Sequence, residues 1–167
     1  MNAIQREKIF RQEDLEALGR FGEVICNTED KGPEPEKAKE LVNGANIIIT
    51  SWGCPQLNRE ILDQAPDAEL ILHAAGSVKG VVSEEVWKRG IRVSGSAQAL
   101  GIGVAETALG FTIASLKNMW GLSRSTGEGK WAEGRDKVRE VYGITVGVIG
   151  AGRAGSHYIR LMKNFDV

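Results

Sequence analysis

Short runs of apolar, β-branched residues alternate along this chain with amphipathic stretches about ten residues long. Arg11 to Arg20 reads as a helix with Leu15 and Leu18 on one face. Glu23 to Asn27 reads as a short strand, closed by the turn residues Asp30-Lys-Gly-Pro33. Glu34 to Val42 is a second helix, and Asn43-Gly44 suits its C-terminal cap. Asn46-Ile-Ile-Ile-Thr50 is a continuous apolar strand of the kind covered on both faces in a parallel sheet. A helix over Pro55 to Gln64, a strand over Glu69 to Ala74, a helix from Ser83 through Arg89 and a strand over Ile91 to Ser94 follow. Ser83-Glu-Glu-Val-Trp87 has the form of an N-cap with acids in the first turn, and Gly90 ends that helix. This alternation predicts an α/β domain with a parallel sheet. Ligands of such sheets bind at the carboxyl ends of strands, here the loops after Thr50, Ala74 and Ser94.

The pattern changes at Gly103. From there to Asn118 a longer helix is apolar nearly all round, through Val104, Ala108, Phe111 and Ile113, which predicts burial on most faces between two domains. Gly121 to Arg139 is polar and glycine-containing, an arm anchored by Trp120 and Trp131. Ile144 to Ile149 then reads as a buried strand running into Gly150-Ala-Gly-Arg-Ala-Gly155 and a helix over Ser156 to Phe165. The plan is a first α/β domain over residues 1–102, a connecting helix over 103–119, an arm over 120–140 and the start of a second domain over 141–167. No fixed-period repeat is present.

Composition narrows the picture. The 167 residues are 42% hydrophobic, enough for one core and part of a second. A net charge of −1 without a basic block argues against nucleic acid or an anionic membrane surface as partner. Met1 to Glu7 has the features of neither a signal nor a transit peptide, and no apolar run approaches the length that spans a bilayer. Cys26 and Cys54 lie far apart with no C-x-x-C, so neither a disulfide framework nor a metal site is expected. These features read as a cytoplasmic protein.

The glycine turn carries the most specific chemistry. In a strand–G-x-G-x-x-G–helix unit, Gly150 permits the bend, Gly152 lets a pyrophosphate approach the backbone and Gly155 lets the helix pack on the strand. Phosphate charge then meets free N–H groups at the helix N-terminus. The acid that reads the ribose is expected about twenty residues after the motif, beyond Val167; Asp166 falls where the helix ends. Ala75-Gly-Ser-Val-Lys-Gly80 follows a buried strand, and its backbone N–H groups either face an anion or serve a connection needing positive φ. Glu106 reads as a first-turn acid on the helix dipole, with catalysis as the other reading. His73 reads as a satisfied core histidine. His157, beside the glycines, sits where the dipole disfavours its charge. Neither has an orienting acid close in sequence.

Together these stretches resemble the D-isomer-specific 2-hydroxyacid dehydrogenases, the family that includes phosphoglycerate and glycerate dehydrogenases. The ordered pieces are Thr50-Ser-Trp-Gly-Cys-Pro55, Leu72-His-Ala-Ala-Gly-Ser-Val78, Gly90-Ile-Arg-Val-Ser94, Val104-Ala-Glu106, Gly129-Lys-Trp131 and Val146 to Gly155, and the match covers most of residues 9–167. The resemblance implies a flavodoxin-like parallel-sheet substrate domain, a hinge helix and the first strand-turn-helix of a Rossmann NAD-binding domain. It implies that Gly76, Ser77 and Val78 hold a substrate carboxylate and that Ser77 reaches the nicotinamide side. Gly150, Gly152, Arg153, Ala154 and Gly155 would cradle the pyrophosphate of NAD, with NADP also compatible. The implied substrate is a small 2-hydroxy or 2-keto acid, and full-length members are usually homodimers.

Departures from the family pattern set further expectations. The family's catalytic arginine, glutamate and histidine lie beyond the fingerprint and have no counterparts in residues 1–167, so this chain alone is expected to be inactive and to bind NAD weakly or not at all. The family opens with a strand, for which Met1 to Phe10 is a poor substitute. Gly95 stands where an asparagine is common and Gly80 where an aspartate is usual. Thr50 and Ala74 lack the basic residues of phosphoglycerate-type members, which argues against a phosphorylated substrate. Two alternatives stay open: a non-catalytic fragment acting as a binding module, and another two-domain NAD protein such as those of the alanine dehydrogenase group. The Val-Ala-Glu and Gly-x-Trp stretches argue against the latter.

Overall fold

Three four-residue strands, β1 (Ile47–Thr50), β2 (Leu70–His73) and β3 (Arg92–Gly95), pair in parallel in the order β1-β2-β3. They belong to a computed structural model that describes residues 1–131 and 133–167 and divides into two units, Met1–Ser96 and Ala97–Val167. Helix α3 (Pro35–Val42) precedes β1, and α4 (Arg59–Leu62) and α5 (Glu84–Lys88) form the two crossovers. Side chains alternate along a strand, so the register stacks Ile48, Ile71 and Val93 in one rung and Thr50, His73 and Gly95 in the next rung on the same face. The apolar rung packs with Ala38, Val42, Ile61, Leu62 and Val86 from the helices. Ile61, Leu62, Ile71 and Val86 are fully buried, each stabilising the fold by about 2 kcal/mol.

The first unit differs from the sequence pattern at its start. Met1–Phe10 contains helix α1 (Ala3–Ile9), followed by α2 (Gln12–Gly19), and Glu23 to Asn27 joins no sheet. An open, largely apolar cavity of about 520 Å³, lined by Leu15, Leu18, Phe21, Val24, Ile47 and Ile49, separates that segment from the β1 edge. With no strand between them, neither edge finds ladder partners, and Ile25 is left 57% exposed. The apolar strand 46–50 is likewise covered on one face only, and Ile47 is 51% exposed. The helix expected over Pro55 to Gln64 shrinks to α4 because Asn58 takes the cap, its Oδ1 accepting from the Ile61 N–H at 3.0 Å. Leu57 instead bridges to Val82. Ser83 does not cap α5 with its side chain; its hydroxyl donates to the Leu57 carbonyl at 2.6 Å. Gly44, past the end of α3, has φ +70°, as its capping position requires.

In the second unit, α6 (Ala97–Leu116) starts earlier than the sequence pattern suggests and is 20 residues long. Only Gly101 and Ala105 are buried on it, and Ile102, Val104 and Phe111 are exposed. The expected all-round burial does not occur within this unit, where α7 (Met119–Gly127) and α8 (Arg153–Met162) are the elements packed on α6. By length and composition α6 also reaches what a bilayer crossing needs, contrary to the sequence expectation. The arm over 120–140 is partly helical, as α7 and a short 3₁₀ turn at Arg135–Lys137. Trp120 and Trp131 are exposed rather than anchoring, Trp131 lying under the Arg135 guanidinium at 4.8 Å; Ala132 of this arm lies outside the described residues. Ile144 to Ile149 forms no ladder, and Val148 and Ile149 are exposed. A strand needs a neighbour, and the three laddered strands found among the described residues lie in the first unit.

Candidate functional site

Two loops at strand or turn ends carry free backbone donors, one in each unit. In the first unit the carboxyl ends of all three strands grip the segment after β2. The Ala74 N–H donates to the Thr50 carbonyl at 2.8 Å, and Ser51 Oγ donates to the Ala74 carbonyl at 3.1 Å. From the β3 side the Ser96 N–H donates to the carbonyls of His73 and Ala75 at 3.1 and 2.9 Å. Gly95 lies against the same loop, where a Cβ would make ordinary contact, 3.5 Å from Val78 Cγ1 and 3.6 Å from the Gly76 carbonyl oxygen. The chain then turns outward, and the N–H groups of Gly76, Ser77 and Val78 donate to no acceptor among the described residues. Three successive free donors at the end of a parallel strand suit a carboxylate or another small anion.

Beneath this loop lies the polar rung. His73 is buried, and its Nδ1 lies 2.9 Å from Thr50 Oγ1, which is also buried. Burial pushes the imidazole below its ordinary value, partly opposed by the Ser77 backbone. This is the satisfied core histidine the sequence suggested, with a hydroxyl partner that sequence spacing did not reveal.

In the second unit two of the three fingerprint glycines, Gly150 and Gly155, have a visible structural cause. Gly150 has φ +90°, a conformation open mainly to glycine. A Cβ on Gly155 would overlap the carbonyl oxygen of Gly150, so the helix can turn this tightly only without a side chain there. Around Gly152 there is open space where a Cβ would point. No side chain caps α8 and no acid occupies its first turn. The N–H groups of Arg153, Ala154 and Gly155 accordingly have no acceptor among the described residues and point their partial positive charge outward. A pyrophosphate suits this donor set.

The sequence pattern of the family described as D-isomer specific 2-hydroxyacid dehydrogenase, NAD binding domain, matches residues 109–167. Over 156 residues the chain is 29% identical to a D-3-phosphoglycerate dehydrogenase of Methanocaldococcus jannaschii, covering 93% of this chain and 29% of that protein. Over 174 residues it is 24% identical to a glyoxylate reductase of Pyrococcus horikoshii, covering 97% of this chain and 52% of that one. A crystal structure of the Pyrococcus horikoshii protein PH0520 matches with a TM-score of 0.74 at 26% identity, over 93% of this chain and 47% of that one. The chain is similar in sequence to D-isomer-specific 2-hydroxyacid dehydrogenases over most of its length. It spans about half the length of these relatives or less. The matched pattern is that of an NAD-binding domain, which supports a nicotinamide dinucleotide, NAD or NADP, as cofactor.

Other residues singled out in this dehydrogenase-like chain fall as follows. Because α6 starts at Ala97, Glu106 sits well beyond its first turn and the dipole account of that residue fails; its side chain is exposed. His157 lies in α8 with its Nε2 3.3 Å from Gln98 Nε2, and the Gln98 Oε1 accepts from Arg153 Nη1 at 2.9 Å. Gln98 had no mark in the sequence, since only the packing of α6 on α8 brings residues 55 and 59 positions apart together. Gly101 permits that packing, a Cβ there lying 3.0 Å from the Arg153 carbonyl. Cys26 and Cys54 are free, and no group of three or more His, Cys, Asp or Glu is placed for a metal among the described residues.

Proposed function

We propose that this chain supplies the substrate-carboxylate loop and the pyrophosphate turn of an NAD(P)-dependent dehydrogenase acting in the cytoplasm on a small, unphosphorylated 2-hydroxy or 2-keto acid. The observation that carries this is the pair of free donor sets, Gly76 to Val78 in one unit and Arg153 to Gly155 in the other. The N–H groups of Ser77 and Val78 bind the substrate carboxylate and so orient C2. Gly152, Arg153 and Ala154 receive the pyrophosphate, with Gly150 and Gly155 shaping the turn. When bound, the dinucleotide supplies hydride chemistry. Thr50 supports the unphosphorylated substrate class, because its hydroxyl is buried against His73 and the position offers no cation to a phosphate.

Proton transfer is not provided by residues 1–167 on this reading. His73 is engaged with Thr50 and His157 faces Gln98, and neither ring has a carboxylate partner among the described residues. The 167-residue chain is therefore expected to leave NADH unoxidised with glyoxylate. Binding tests the proposal directly. Two-dimensional ¹⁵N NMR titrations should show millimolar NADH shifting the amides of Gly152 to Gly155, and oxalate, a 2-keto acid mimic, shifting Gly76 to Val78. Amides that stay in place at both sites would sink it.

A further inference from the structure

The packing of α6 on α8 ends in a polar cluster at the surface, Gln98–Arg153–His157, that the glycine turn does not itself require. Gly101 and Ala105, the buried residues of α6, are small, and a Cβ on Gly101 would lie 3.0 Å from the Arg153 carbonyl oxygen, so α8 approaches α6 closely at its first residue. A second tie joins the Thr112 and Tyr158 hydroxyls at 2.8 Å. Gln98 lies one turn before Gly101, on the same side of α6. Its amide meets two residues of α8: Oε1 accepts from Arg153 Nη1 at 2.9 Å, and Nε2 lies 3.3 Å from His157 Nε2. The chemistry of the three side chains fixes where the protons lie. A guanidinium can only donate, so the Gln98 carbonyl faces Arg153 and its NH₂ faces His157. That NH₂ donates in turn, so His157 Nε2 accepts and the ring proton sits on Nδ1.

We propose that Gln98 is the positioning residue of Arg153, holding its guanidinium beside the first turn of α8 so that its charge adds to that of the free Arg153, Ala154 and Gly155 N–H groups; the inference rests on the reading of that turn as a pyrophosphate site. An unheld arginine samples many rotamers, and fixing it at the moment of binding costs affinity. A hold already made in the free chain removes part of that cost. Gln98 suits the role because it is neutral. It takes one donor and leaves the charge and the remaining donors of the guanidinium to phosphate oxygens. A carboxylate in its place would hold Arg153 and cancel its charge. His157 completes the arrangement by accepting from the Gln98 NH₂, which keeps the amide from turning its donor side to Arg153.

The test reads both ends of the Gln98 amide. In the ligand-free 167-residue chain, Gln98→Leu is expected to move the Arg153 Nε–H signal toward that of a freely rotating arginine. It should also turn His157 from the Nδ1–H to the Nε2–H form, read on the ring ¹⁵N shifts. Gln98→Glu keeps an acceptor for Arg153 and offers His157 no donor, so Arg153 should stay held while His157 alone changes form. Loss of one net hydrogen bond should weaken NADH binding, followed on the amides of Gly152 to Gly155, about fivefold in Gln98→Leu. Gln98→Glu should weaken it at least as much, by cancelling charge. Gln98 is exposed, so the helical shifts of α6 and α8 should stay in place in both variants; should leucine disturb them, Gln98→Ala repeats the comparison. An Arg153 signal unmoved in Gln98→Leu, or NADH bound by that variant as tightly as by the wild type, would overturn the inference. NADH that shifts none of the turn amides even in the wild type overturns the pyrophosphate reading beneath it, an outcome distinct from a loss seen only in the variants.

Discussion

The loop after β2 and the glycine turn before α8 both present a short row of free N–H groups, and they are built in opposite ways. The first is held by residues distant in sequence: Thr50, Ser51, Gly95 and Ser96 reach it from both neighbouring strands. The second is held by its own glycines, through the positive φ of Gly150 and the contact of Gly155 with the Gly150 carbonyl. It has this shape although Ile144 to Ile149, the segment leading into it, joins no ladder among the described residues. A donor row can thus be specified by sheet register or by local steric rules. Only the second kind survives the absence of a ladder.

Damage to the ladder should give the largest contrast. Ile71→Ala empties a fully buried site at the centre of the apolar rung and should cost about 4 kcal/mol, seen as a lower urea midpoint. Amide exchange at Ala74 to Ser77 should accelerate with it, and a loop that kept its protection would show that it does not depend on register. A smaller, local effect is expected at the turn. Gly155→Ala drives a methyl into the Gly150 carbonyl and should cost about 2 kcal/mol, with loss of helical shifts over the first turn of α8. Gly152→Ala, which meets open space, should stay within about 0.5 kcal/mol. Equal losses for the two glycines would remove the steric account of the turn.

The smallest effect is one of pH. Burial lowers the His73 pKa in the folded chain, below the ordinary 6.5 that it regains on unfolding. Above that ordinary value both states are neutral and the site adds no pH dependence. As pH falls below it, the unfolded chain binds a proton that the folded chain does not, so stability declines until the folded pKa is passed. Urea midpoints measured between about pH 7.5 and about pH 5.5 should fall in the wild type and less so in His73→Gln. A wild-type midpoint that rises on acidification would reverse the assigned direction.

Local signals in the sequence translated well into local structure. The helices at Gln12–Gly19 and Pro35–Val42 and the strands around Ile48, Ile71 and Val93 lie where the pattern put them, and α8 begins at Arg153, ahead of the Ser156 start the pattern gave. The roles of Gly150 and Gly155 are legible because they are steric and nearest-neighbour in origin. What failed to translate needed a partner. Glu23 to Asn27 and Ile144 to Ile149 have strand-like side chains but no adjacent backbone to bond. The all-round apolar pattern of α6 states which residues can be buried, whereas exposure of Val104 and Phe111 depends on what packs beside them. Its start at Ala97 moved Glu106 away from the dipole, a boundary shift no composition rule anticipates.

Sequence by itself determined the alternation of elements, the dehydrogenase-like order of motifs and the geometry of the glycine turn, since each rests on the conformational limits of single residues and their near neighbours. Tertiary structure alone decided that Thr50 and His73 share a rung under the Ser77 loop, that Gln98 meets Arg153 and His157, and which strand-like segments become strands. Those outcomes depend on register and on helix approach. Both are set by atoms far apart in the chain, and a hydrogen-bonding edge left without a neighbour cannot form a ladder, whatever its side chains favour.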